Sequence, residues 1–233
     1  EYDILASIYR QLGKLEMSLK TYLTALNIDP DNLQIRIAIA DTYSQLNLSS
    51  EAIAQYFSIA QIYIHSVQFT DAIPLLLKII NLDANHTKTQ IALSDIYIQT
   101  NQIEEATPFL YSLAKKSEKN KKWVEAINYW EKIYHIENQN QEALEALIYL
   151  HNQTETVHQA MPYYLQLSQV LTVKQEPAKS KEILEEAFGL DPFHGEIRSK
   201  LIHDYMKSGL QSQAVNTYLF VAQLYMEKNS FAE

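Results

Sequence analysis

Apolar residues recur at helical spacing along the whole chain, and each apolar run starts from a small residue. The clearest stretch is Glu51 to Asn85, where Ala52 in S-E-A-I and Ala72 in T-D-A-I stand in matching settings. Stepping outward from this pair gives Ser18, Ala52, Ala72, Ala106, Ala126, Ala160, Ser180 and Ala214, at intervals that alternate between 34 and 20 residues. Self-similarity of this kind fixes an architecture before any local element does. A small residue at each rung lets two antiparallel helices approach closely, and a leucine there would overpack the pair by about 1–3 kcal/mol. Aromatic residues nine positions before a rung and four after it fill the gap to the next helix pair.

The pattern predicts helices near 2–12, 16–28, 33–46, 50–66, 70–82, 87–99, 104–119, 122–136, 141–151, 158–174, 177–189, 195–208 and 212–228. Each 20-residue step leaves no room for a break. A single long helix, first seen at 50–66, therefore serves as the second helix of one pair and the first of the next. The true period is 54 residues with three helices. Gly13, Asn47, Asn101 and Gly209 are placed to end helices in a left-handed conformation. Asp29-Pro30 and Asp191-Pro192 stop others, because proline cannot extend a helix. Ser49 and Thr70 are expected as N-caps, Asn229 as a turn, and Pro74, Pro108 and Pro162 as first-turn residues.

The landmarks Tyr9, Gly13, Ser18, Tyr22, Ala25 and Pro30, repeated as Tyr205, Gly209, Ala214, Tyr218 and Val221, resemble the tetratricopeptide repeat family. The resemblance runs over essentially the whole chain and implies an all-α solenoid. Residues 1–233 are expected to form a single array of about eight repeats, a piece of a longer protein. Departure from a uniform 34-residue step makes the array divergent. The resemblance also implies that the first helix of each pair lines a binding surface. By register this selects Asp41, Asp95, Tyr149 and His203, with Ile37, Ile91, Glu145 and Ser199 one turn earlier and Gln34, Lys88, Glu142 and Glu196 at the helix starts. That surface is acidic and partly apolar, suited to a peptide carrying Lys or Arg between hydrophobic anchors. The positions of the carboxylate clamp known in some relatives hold Asp3, Ser7, Ala38, Ala54 and Ser58, with no cation among them.

A hydrophobic content of 47% gives ample core, while a net charge of −9 disfavours a nucleic-acid backbone as the main partner. No apolar run reaches the ~18–20 residues of a membrane span, so no membrane insertion is expected. Without cysteine there is no disulfide or thiolate chemistry. Most of the sixteen tyrosines fill repeat positions: Tyr9, Tyr22, Tyr43, Tyr56, Tyr63, Tyr97, Tyr164, Tyr205, Tyr218 and Tyr225 read as core. Glu155-Thr-Val-His158 has the E-x-x-H spacing of helical metal sites, without the further ligands such a site needs. The pairs Glu104-Glu105 and Glu185-Glu186 read as solvated, and the lysines of 115–122 as a solvated turn or a docking patch for something acidic.

No phosphate loop, nucleophile elbow or triad is present, and no cofactor or metal is called for. The expected function is a non-catalytic scaffold or adaptor that binds a protein or peptide. A docking region of a larger enzyme and a self-assembling module, associating through uncapped ends, are the alternatives. The use of Asn, Gln, Ile and Lys reads as bacterial.

Overall fold

A computed structural model describes residues 1–230. Thirteen helices and no strand occur among the described residues: α1 (Tyr2–Gln11), α2 (Leu15–Ile28), α3 (Leu33–Gln45), α4 (Ser49–His65), α5 (Phe69–Leu82), α6 (Thr87–Gln99), α7 (Ile103–Lys119), α8 (Trp123–Ile136), α9 (Gln141–Gln153), α10 (Val157–Val173), α11 (Pro177–Leu190), α12 (Gly195–Lys207) and α13 (Gln211–Ser230). The chain divides into two compact units, Glu1–Phe109 and Leu110–Glu233. The division falls within α7.

Every rung of the small-residue ladder is buried: six alanines and two serines, each no more than 3% exposed. The serines show how tight the approach is. Ser18 donates to the carbonyl of Ala6 at 2.8 Å and Ser180 to that of Ser168 at 3.0 Å, each reaching the backbone of the facing helix. A side chain larger than serine has no room between a rung and that carbonyl.

In the first unit the core gathers Tyr56, Ile59, Leu76, Ile79 and Leu93 from α4, α5 and α6 around Ala52 and Ala72. A smaller cluster of Ala6, Tyr22, Ala25, Ile35 and Ile39 joins α1, α2 and α3. In the second unit Leu144, Met161, Tyr164, Leu167, Leu184 and Leu201 form the equivalent centre. The fused helices are real: α4 packs against both α3 and α5, and α10 against both α9 and α11.

Eight turns follow one recipe. A residue with φ between +56° and +74° stands at Gly13, Asn47, Val67, Asn101, Lys121, Glu155, Gln175 and Gly209, five before each rung. Its amide bonds the carbonyl three residues back, and the next amide bonds the carbonyl five back, as in Val67 to Ile64 at 3.0 Å and Gln68 to Tyr63 at 2.8 Å. This is the Schellman arrangement, which satisfies the last carbonyls of a helix. Only Gly13, Asn47, Asn101 and Gly209 advertise it in sequence. Val67 is β-branched and holds a conformation that such residues rarely adopt.

These turns also correct the expected caps. Helix α4 begins at Ser49 with Leu48 before it, and α5 at Phe69 after Gln68, both without a side-chain cap. The amides of Leu48 and Gln68 already close the preceding turn, so the next helix restarts at once and leaves Ser49 and Thr70 inside it. Side-chain caps occur instead after the extended breaks at Asp29, Glu137 and Asp191. Asn32 accepts from the Ile35 amide at 3.1 Å, Asn140 from Ala143 at 3.0 Å, and His194 Nδ1 from Ile197 at 3.4 Å. Pro74, Pro108 and Pro162 are each the sixth residue of their helix, in the second turn rather than the first, which forgoes one helical bond. Helix α13 runs through Asn229, which is therefore not a turn.

Of the ten tyrosines expected in the core, Tyr22, Tyr56, Tyr97, Tyr164 and Tyr205 are buried and Tyr9, Tyr43 and Tyr63 half-buried. Tyr218 (59% exposed) and Tyr225 (50%) are not core residues. They lie on α13, which packs against α12 with no later helix beside it among the described residues. Tyr225 meets the ring of Phe193 edge-on at 4.9 Å.

Candidate functional site

Each unit has a cleft lined by a carboxylate that accepts from the tyrosine four residues after a rung. In the first unit a cavity of about 420 Å³ opens between α1, α3, α4 and α5. Its centre is Asp41 on α3. Asp41 Oδ1 accepts from the Tyr56 hydroxyl and from Lys78 Nζ, both at 2.5 Å. Arg10 Nη1 approaches Asp41 Oδ2 at 3.8 Å, an ion pair too long for a hydrogen bond. The Lys78 ammonium also lies over the Tyr56 ring at 5.1 Å from its centroid. Burial first, and then the bond to Asp41, push the Tyr56 hydroxyl well above the usual range, so it stays a donor.

In the second unit a cavity of about 270 Å³ lies between α9, α10 and α11. Leu167, Leu171 and Ile183 line it together with Glu145, Glu182, Glu186, Gln141 and Lys179. Tyr164 donates to Glu186 at 2.7 Å and accepts from Asn152 at 2.9 Å. Burial is the main cause that raises the Tyr164 hydroxyl above its ordinary range. Lys179 is engaged by Glu176 at 2.6 Å, which leaves the lining with an acidic excess.

The residues selected by register distribute over α3 and α6 in the first unit and α9 and α12 in the second. Gln34, Lys88, Glu142, Glu145, Glu196, Ser199, Tyr149 and His203 are at least partly exposed; Ile37, Ile91, Asp41 and Asp95 are half-buried. Only Asp41 lines the first cleft and only Glu145 the second. Glu145 accepts from Gln141 at 2.7 Å, and Glu142 pairs with Lys115 at 3.0 Å. Sequence reasoning missed Arg10, Tyr56 and Lys78 as partners of Asp41, because each lies on a different helix. It read Glu185 and Glu186 as solvated, yet both accept from buried tyrosines, Tyr205 (2.8 Å) and Tyr164. The signal that could have found them is register: Lys78 and Glu186 lie two periods apart, each facing a tyrosine four after a rung.

The basic turn is largely occupied with its own chain. Lys115 sits 4.9 Å over the Trp130 ring besides pairing Glu142, and Lys122 bonds Glu125 at 2.9 Å. The E-x-x-H spacing has no helical geometry, since Glu155 is a left-handed turn residue before α10 begins. His158 pairs with Asp191 at 3.2 Å. Among the described residues no group of three or more His, Asp or Glu could hold a metal, and no helix is long and apolar enough to cross a membrane.

Residues 6–47 match the family model described as TPR repeat. No curated protein matches the chain. Among solved structures, TTC0263, a thermophilic TPR protein in Thermus thermophilus, is 18% identical over 95% of this chain and 89% of its own, with a TM-score of 0.28. MamA is 16% identical, covering 99% and 93%, with a TM-score of 0.25; a point mutant of MamA gives 0.41 over 75% of this chain and 92% of that one. Those scores are too low to support an argument about arrangement. The assignment rests on the matched repeat and on what recurs along the chain: the helix pair, the buried small rung and the left-handed turn. Residues 6–47 are thus matched as a TPR repeat, and the chain as a whole resembles that repeat in a divergent form, its buried rungs and left-handed turns recurring with a 54-residue period.

Proposed function

We propose that the chain is a non-catalytic scaffold that holds a peptide segment carrying lysine or arginine beside apolar residues, and that the cleft between α9, α10 and α11 receives the basic side chain. One observation carries this reading: Glu145, Glu182 and Glu186 stand over a floor of Leu167, Leu171 and Ile183, with Lys179 the single cation in the lining. An aliphatic stem fits the floor while its charged head meets the carboxylates. Tyr149, 52% exposed on α9, is an apolar anchor on the same helix as Glu142 and Glu145. The α3 and α6 residues Gln34, Ile37, Lys88, Ile91 and Asp95 are the candidates for further contacts in the first unit, where Asp41 is already engaged by Lys78 and Tyr56. A preformed helical array lets the peptide alone bear the ordering entropy.

The test is an NMR titration of the ¹⁵N-labelled chain with acetyl-Leu-Lys-Leu-amide, beside the same peptide with norleucine for lysine. Shifts on α9 to α11 with the lysine peptide, at least about fivefold weaker in Glu182→Gln/Glu186→Gln, are expected; fivefold is about 1 kcal/mol. Equal response to the norleucine peptide overturns the reading.

A further inference from the structure

The cleft of the first unit has the opposite sign. We propose that it binds the carboxylate of an acidic peptide side chain, with Arg10 as the principal contact and Lys78 beside it. This goes further than the scaffold reading and rests on it only for the ligand being a peptide.

Asp41 would be the natural seat for a ligand's ammonium, but Lys78 already occupies it at 2.5 Å and the Tyr56 hydroxyl bonds the same oxygen. A second ammonium would have to displace Lys78 or sit against it. Arg10 is in the reverse situation. Its nearest approach to Asp41 is 3.8 Å, so the pair is held by charge and not by a hydrogen bond, and the planar fork keeps its N–H groups for a better-placed acceptor. Among the charged residues lining the cavity two are cations and one is an anion. Gln45 and Asn81 add neutral amide donors at its wall.

A volume of about 420 Å³ admits an aspartate or glutamate side chain with room for water. Asp41 then acts as a positioning residue: it fixes Lys78 and attracts Arg10 without saturating either. The donors come from α1, α3 and α5, which the core of this unit holds in place through Ala6, Ile39 and Ile79. These positions differ from those of the clamp that the sequence lacks, since neither Arg10 nor Lys78 belongs to the set Asp3, Ser7, Ala38, Ala54 and Ser58.

The probe is N-acetyl-glutamate N-methylamide, titrated into the ¹⁵N-labelled chain beside the glutamine and lysine analogues. The glutamate compound is expected to shift amides around Arg10, Asp41 and Lys78, with an affinity that falls as salt is raised. Arg10→Gln is expected to weaken it about tenfold and Lys78→Met about threefold, while Arg10→Lys recovers part of the loss because it restores charge but not the fork. Both substituted side chains are partly exposed, and a melting curve beside each titration checks that the fold persists. Equal shifts from the glutamine analogue, a stronger response to the lysine analogue, no shift at about 50 mM glutamate compound, or unchanged binding in Arg10→Gln each overturn the proposal. The readout is confined to α1, α3 and α5, so it fails or succeeds separately from the lysine-peptide test on α9 to α11.

Discussion

The two units share a repeat and differ in where its central tyrosine finds a carboxylate. In the first unit Tyr56 donates to Asp41, on the helix before it; in the second, Tyr164 donates to Glu186, on the helix after it. Residues two periods apart make the exchange explicit. Asp41 corresponds to Tyr149, Lys78 to Glu186, Arg10 to Glu118 and Ile37 to Glu145. The buried hydroxyl needs an acceptor in either case, because an unsatisfied one costs about 1–3 kcal/mol. The repeat leaves open which neighbouring helix supplies it. Supplying it from α3 allows a lysine on α5 and makes a cleft with a cationic excess. Supplying it from α11 puts a glutamate where that lysine would be and makes the second cleft acidic. The core pattern is kept while the surface chemistry is inverted.

The units should respond alike to insults to the shared core and differently to insults at the exchanged positions. The largest effect is expected from the rungs. Ala72→Leu in the first unit and Ala126→Leu in the second should each destabilise by about 1–3 kcal/mol or more, since both sites are fully buried against a facing backbone. Asp95→Ala should cost less than about 1 kcal/mol. Hydrogen exchange should show each rung substitution loosening its own unit first; melting temperatures equal to that of Asp95→Ala would break the register.

The next effect separates the units by pH. His151 fills, in the second unit, the position held by Tyr43, Tyr97 and Tyr205 elsewhere. It is 2% exposed, its Nδ1 lies 2.8 Å from the Thr156 hydroxyl, and its ring stacks on Tyr163 at 5.7 Å between centroids. Burial lowers its pKa below the ordinary histidine value, against a smaller opposing pull from Glu131. The unfolded chain then binds more protons than the folded one once pH drops below about 6.5. Stability is lost as pH falls from there to the lowered folded pKa, by at most about 1.4 kcal/mol per pH unit, and levels off below. Hydrogen exchange at pH 5 and 7 should show the loss around α9 and α10, and His151→Tyr should abolish it. An unchanged profile in that variant would assign the pH effect to other groups.

Turn chemistry gives a smaller effect of opposite sign. Val67→Gly relieves a β-branched residue at φ +58° and is expected to raise stability by about 0.5–1 kcal/mol; the side chain is 70% exposed, so little packing is lost. Gln175→Gly in the second unit should gain less, its side chain not being β-branched. The smallest change is expected from Lys78→Met, about 0.2–1 kcal/mol, because the pair with Asp41 is partly exposed to solvent. A loss well above that range in a thermal melt would show that the cationic cleft is primarily a brace between α3 and α5.

The array was legible in the sequence: the thirteen helices lie within about two residues of their expected bounds, because small rungs, apolar spacing and Asp-Pro breaks act locally and repeat. The turns were half legible. Glycine and asparagine announce a left-handed residue, whereas at Val67, Lys121, Glu155 and Gln175 the helices on either side impose it against local preference. The caps were misplaced for the same reason, since a Schellman turn restarts the helix before a serine can cap it. The sites were the least legible. Asp41 was visible as a register position, but its charge is balanced by Arg10, Tyr56 and Lys78, which come from three other helices and meet only when α1, α3, α4 and α5 pack. Periodicity follows from neighbours along the chain and can be read from them. The sign of a cleft follows from neighbours across helices, which come together only when the helices pack.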